Sequence, residues 1–185
     1  MKKLLTILML CIISLGYSQE FLGIKVDGNL YEAVAKFKAK GFRLVESSKS
    51  AALLTGTLQF KTISLVIIST PKSHKVWKFV ISLPEKTSWY SLKVEYNDYV
   101  EVFNSKYGKP TNSYSFYEDP YEEGDGFELQ AIRNEKATFA SYWLFDNIAY
   151  SVRIHKDQNV ELNYQNTVNF QIHKKETDEQ NYSTF

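Results

Sequence analysis

The chain has 185 residues, with 22 lysines and arginines, 21 aspartates and glutamates, and one cysteine. That balance lacks the basic excess that recognition of a phosphate backbone or an anionic membrane needs, so neither is an expected partner. One cysteine cannot make an internal disulfide or a cysteine metal site, so the core alone must hold the fold.

The N-terminus reads as a secretory signal peptide over residues 1–18. Lys2 and Lys3 form a basic start, Leu4 to Leu15 is apolar apart from Thr6 and Ser14, and Gly16 and Ser18 place small residues at −3 and −1 of a cut before Gln19. The apolar run is about 12 residues long, whereas a membrane-spanning helix needs roughly 20. Leu10 precedes Cys11 and apolar residues follow it, so Cys11 reads as part of the run and not as a lipid anchor. The exported chain is expected in the periplasm or the medium, not inserted in a membrane. Loss of Lys2 and Lys3 takes its net charge from +1 to −1.

Leu30, Ala33, Val34 and Phe37 follow the i, i+3, i+4, i+7 spacing of a helix that buries one face. Asn29 with Glu32 has the spacing of a capping box, and Gly41 supplies the stop. Strands are expected over 42–46, 53–58, 62–69 and 76–83, where β-branched and aromatic residues dominate. In the last of these Trp77, Phe79, Ile81 and Leu83 alternate with Lys78 and Ser82. Pro84 ends that pattern. A second helix begins near Thr87 or Ser88 on the stripe Trp89, Leu92, Tyr96, Tyr99, Val100, Phe103 and Tyr107, and stops at Gly108. Further strands are expected over 112–117, 127–132, 138–145, 148–154 and 160–164, with Asp146-Asn147 as a tight hairpin turn. The polar residues 171–185 read as a flexible tail.

The fold class is therefore α+β: two helices packed on antiparallel β-sheet within residues 19–170. Helix and strands recur in the halves 19–84 and 85–170, and both helices stop at a lysine-containing glycine turn. Two tandem α-β4 repeats and two unrelated α+β segments both satisfy this pattern. From Phe21 to Tyr164 the tandem resembles the β-lactamase inhibitor protein fold in outline. The resemblance implies a concave antiparallel sheet that presents side chains to a protein or peptide. It rests on element order alone, and the two-cysteine units of those inhibitors are absent.

The histidines and candidate nucleophiles form no catalytic or metal-binding pattern. His74, His155 and His173 lack the i, i+4 spacing of paired ligands on a helix. Ser69 and Lys72 match S-x-x-K, but Pro71 sets them in a turn and not at a helix start. No G-x-S-x-G and no phosphate-cradling glycine loop occurs. Glu118, Asp119, Glu122, Glu123, Asp125 and Glu128 crowd one glycine-containing stretch. Their spacing departs from the alternating carboxylates of a helical calcium loop, and a hydrated loop is the simpler reading. No metal, no cofactor and no catalytic residue is assigned.

The remaining signal is aromatic. Tyr114, Tyr117 and Tyr121 run into the loop Glu118, Asp119, Glu122, Glu123 and Asp125. Tyrosine offers contact area with few rotors and a hydroxyl that tolerates partial exposure, so these residues form the expected binding edge. The rival location is the sheet face marked by Arg153 and His155. The function expected is a non-catalytic binding module for a protein, peptide or glycan. An envelope assembly accessory is the alternative, and a hydrolase with an unrecognised site stands third.

Overall fold

The structure is a computed structural model that describes residues 20–182. The expected signal peptide lies outside the described residues. Two short strands, β1 (Glu20–Phe21) and β2 (Ile24–Lys25), pair as a hairpin ahead of helix α1 (Leu30–Ala39). Four strands follow: β3 (Arg43–Ser47), β4 (Ala51–Leu58), β5 (Lys61–Ser69) and β6 (Val76–Ser82). Helix α2 (Trp89–Tyr107) leads into β7 (Asn112–Tyr117), α3 (Glu128–Arg133), β8 (Ala137–Leu144), β9 (Ile148–His155), β10 (Asn159–Asn166) and α4 (Thr167–Tyr182).

The architecture is α+β, with four helices among the described residues and one eight-stranded antiparallel sheet beside the small hairpin. Strand order is β3-β4-β5-β6-β10-β9-β8-β7. Helices α1 and α2 are thus each followed by the four strands of one meander, and the two meanders join through their last strands. At that seam Lys78 lies opposite Gln165, Val80 opposite Asn163 and Ser82 opposite Glu161.

Local chemistry starts the helices where the spacing predicts. The Asn29 side chain accepts the Tyr31 N–H at 2.9 Å, and Ser88 Oγ accepts the Ser91 N–H at 3.2 Å. Both helices bury their aromatic stripes against the same sheet face. Phe37 meets Phe79 edge-on at 5.2 Å, and Phe103 contacts Trp143 at 5.3 Å, Tyr164 at 5.8 Å and Tyr150 at 6.2 Å. Both phenylalanines are buried. On β4, Gly56 leaves room for the Phe42 ring: a Cβ added there would lie 2.5 Å from a ring carbon.

Two segments differ from the expectation. Of residues 127–132, expected as a strand, all but the N-cap Phe127 fold into α3. Glu128, Leu129, Gln130 and Ala131 are strong helix formers, and Ala131 with Ile132 buries one side of the turn. Residues 171–182, expected as flexible, belong to α4. Asn166 Oδ1 accepts the Asn169 N–H at 3.0 Å, a capping bond at the helix start. Phe170 and His173 lie against Trp77 at 4.9 and 4.8 Å. Glu176 then fastens the helix to the β5–β6 turn. Its carboxylate accepts the Lys72 N–H at 2.7 Å, the Ser73 N–H at 3.2 Å and the Ser73 hydroxyl at 2.6 Å. Tertiary contacts supply what a polar sequence with little apolar periodicity does not.

Candidate functional site

The register divides the sheet into two faces. Phe79, Phe139, Trp143, Tyr150 and Tyr164 point toward the helices. Strand alternation therefore sends Lys78, Ala140, Tyr142, Ser151, Arg153, Glu161, Asn163 and Gln165 to the other side. There they form rows across the seam. One runs Lys78, Gln165, Ala149; the next Val80, Asn163, Ser151, Tyr142; the third Ser82, Glu161, Arg153, Ala140, Tyr114.

Polar chemistry concentrates where these rows cross β10 and β9. Arg153 donates from Nε to Glu161 Oε2 at 2.7 Å and holds the same oxygen from an Nη at 2.6 Å. Glu161 is almost wholly covered, so its carboxylate depends on that guanidinium. Lys78 is half-buried, and its ammonium pKa lies below the ordinary lysine value. Burial is the main cause, Arg153 adds to it, and Glu161 opposes it. Two hollows flank the Arg153–Tyr142 ridge. One, of about 190 Å³, includes Lys78, Asn163, Ser151 and Gln165 in its lining. The other, of about 180 Å³, includes Thr138, Ala140 and His155. Tyr114 stands edge-on to Tyr142 at 6.0 Å and, with Phe116, is exposed on the same face.

The three tyrosines read from the sequence are not placed together. Tyr114 belongs to the open face. Tyr117 projects to the helix side, where its ring meets Phe139 at 5.6 Å and Trp89 at 6.4 Å. Burial first, and then Glu128, Glu123 and Asp125, push its phenol up to about 12. Tyr121 lies in the loop, its hydroxyl accepting from Asn134 Nδ2 at 2.7 Å.

Several of the acidic residues shape the loop itself. Asp125 accepts from the Glu122 and Phe127 N–H groups at 2.9 and 2.7 Å, and Glu128 from the Gly124 N–H at 3.1 Å. Glu118 pairs with Lys136 at 2.9 Å. Asp119 and Glu123 have no hydrogen-bond or ion-pair partner among the described residues, and Glu122 bonds there only through its backbone, donating its N–H to Asp125 and accepting the Asp125 N–H at its carbonyl. No group of three or more histidine, cysteine or acidic side chains converges as a metal site among the described residues.

Sequence reading missed the polar seam. Its signal was present in β10, where Glu161, Asn163 and Gln165 alternate with Val160, Leu162 and Tyr164. Also missed was Glu95, buried on α2 among apolar neighbours. Its Oε1 takes Lys61 at 2.7 Å and Lys86 at 3.1 Å. This cluster ties α2 to the start of β5 and to the segment between β6 and α2. No known family, curated protein or solved structure matches the chain.

Proposed function

We propose that the protein is an exported, non-catalytic binding module that holds a segment of a protein or peptide on the open face of its sheet. The observation that supports this reading is the asymmetry of the sheet. One face is sealed by α1 and α2, whereas the other carries two hollows, a charged centre and exposed aromatic side chains along one edge. Aromatic anchors beside arginine are the side chains that carry most binding energy at protein interfaces. Tyr114 and Phe116 supply that edge, and the carboxylates of Asp119, Glu122 and Glu123 continue it beyond β7. The strand-ordered tandem of helix and four-strand meander gives this face a rigid base, so little ordering is required on binding.

Photo-crosslinking in the producing cell tests the reading. A photoreactive residue at Tyr114 or Phe116 is expected to give a discrete adduct whose partner peptide is identified by mass spectrometry. The same residue at Tyr90, which is exposed on the outer side of α2, is expected to give none. Equal adducts at all three positions, or none at any, would refute it. Recovery in the envelope fraction without residues 1–18 is the companion expectation for export.

A further inference from the structure

We propose that the hollow between Lys78 and Arg153 is a receptor for the side-chain carboxylate of an aspartate or glutamate in the partner segment. This rests on the open face being the binding surface and names what that face selects.

Charge balance is the first ground. Two cations, Lys78 and Arg153, and one acid, Glu161, meet at this place. Arg153 already holds Glu161 through two of its nitrogens. Among the described residues no carboxylate lies within 4.0 Å of the Lys78 ammonium, so the ion pairs leave one positive charge over. A half-buried ammonium without a counter-ion has given up hydration and gained no pair in return. A monoanion restores the balance. A dianionic phosphate would overshoot it and press against Glu161.

Hydrogen-bond satisfaction is the second ground. Asn163 is 5% exposed, lines the hollow, and leaves its Oδ1 with no partner. Buried amide groups are rarely left this way, because a desolvated acceptor without a donor has lost its water and gained nothing in return. A peptide brings both functions that are missing. Its side-chain carboxylate accepts from Lys78 and from the guanidinium N–H groups that Glu161 does not use. With the Asn163 amide turned toward the hollow, a backbone N–H of the same segment donates to its Oδ1.

Geometry is the third. Lys78 and Arg153 sit two rows apart on strands that flank β10, with Asn163 and Ser151 between them. Both long side chains nonetheless line one hollow of about 190 Å³. Tyr142 closes the far wall and continues toward Tyr114. The carboxylate is thereby received at the centre, while flanking residues of the segment extend over the aromatic edge.

The test uses N-acetyl-glutamate N-methylamide as probe, with the glutamine analogue, N-acetylglycine and inorganic phosphate as controls. Binding is followed in the intact protein by NMR at the Lys78 ε-methylene and the Asn163 side-chain amide. Saturable shifts at both sites with the glutamate probe, and none with the glutamine analogue, are expected. Lys78→Gln is expected to weaken the probe about tenfold or more, and Lys78→Arg to retain it. Asn163→Asp places a carboxylate inside the hollow and is expected to abolish probe binding with the remaining amide spectrum intact. Equal response to phosphate or N-acetylglycine would overturn the proposal, as would unaltered binding by Lys78→Gln or Asn163→Asp. A silent glutamate probe alongside crosslinks at Phe116 would overturn the receptor and leave the binding surface standing.

Discussion

Replacing Gly56 by alanine tests how the first half of the core is packed. The added Cβ would lie 2.5–2.7 Å from three atoms of the Phe42 ring, where ordinary contact begins near 3.4 Å. Phe42 has nowhere easy to go. It is 5% exposed, and the fully buried Phe37 ring stands edge-on to it at 5.4 Å. Forcing a well-packed core apart costs about 1–3 kcal/mol. Against this, alanine gains about 0.5–1 kcal/mol over glycine in a strand. Gly56→Ala should therefore destabilise by up to about 2.5 kcal/mol, and Tm should fall by about 2–4 °C for each kcal/mol. In the background of Phe42→Ala the clash is gone, and the same substitution should stabilise by about 0.5–1 kcal/mol. Urea titrations of the four proteins of this double-mutant cycle measure the reversal of sign directly. Gly56→Ala with the same sign in both backgrounds would refute the reasoning.

Phe103→Ala removes a ring that touches Tyr107, Trp143, Tyr150 and Tyr164, and should cost about 3–5 kcal/mol in urea unfolding. Tyr117→Phe should leave stability unchanged or raise it, because the hydroxyl it removes is buried without a partner, whereas Tyr117→Ala should cost about 3 kcal/mol. The Tyr117 phenol is raised to about 12 in the folded protein. Its contribution is complete below the unfolded value near 10 and is lost as pH rises from there to about 12, a loss that Tyr117→Phe should abolish. Glu176 has its pKa below the ordinary carboxylate value: burial works against this, and the hydrogen bonds from Ser73, Lys72 and Thr70 outweigh it. Docking of α4 should accordingly hold above the ordinary carboxylate pKa and weaken as pH falls through the lower folded value. Amide exchange in α4, corrected for intrinsic rates, should speed up in acid in the native protein and show no such acid step in Glu176→Gln.

Periodicity carried most of the fold because most elements bury one face. The stripes ending in Phe37 and Phe103 and the alternation of β6 and β9 follow directly from that burial. Where burial is one-sided and brief, pattern fails. Six residues of α3 offer little more than one turn, and Phe127 and Ile132 read as β-formers although Glu128 to Ala131 favour a helix. In α4 the apolar residues Val168, Phe170 and Ile172 are confined to its start, and Trp77, on which Phe170 packs, is far away in sequence. The binding edge was legible only in part for a related reason. Tyr114 and Tyr117 are three apart in a strand, so alternation sends them to opposite faces. The centre of the open face depends on which strands meet across the seam, and no local pattern records that β6 lies beside β10.

That seam also sets an order of events. β6 pairs with β5 on one side and with β10 on the other, and β10 is the last strand among the described residues. Until Asn159–Asn166 has emerged, the apolar strand Val76–Ser82 keeps a raw margin of unpaired N–H and C=O groups. The N-terminal half is in this sense an unfinished object throughout synthesis. A nascent chain of this topology needs its margin shielded, by a chaperone or by prompt transit, until its own final strand arrives.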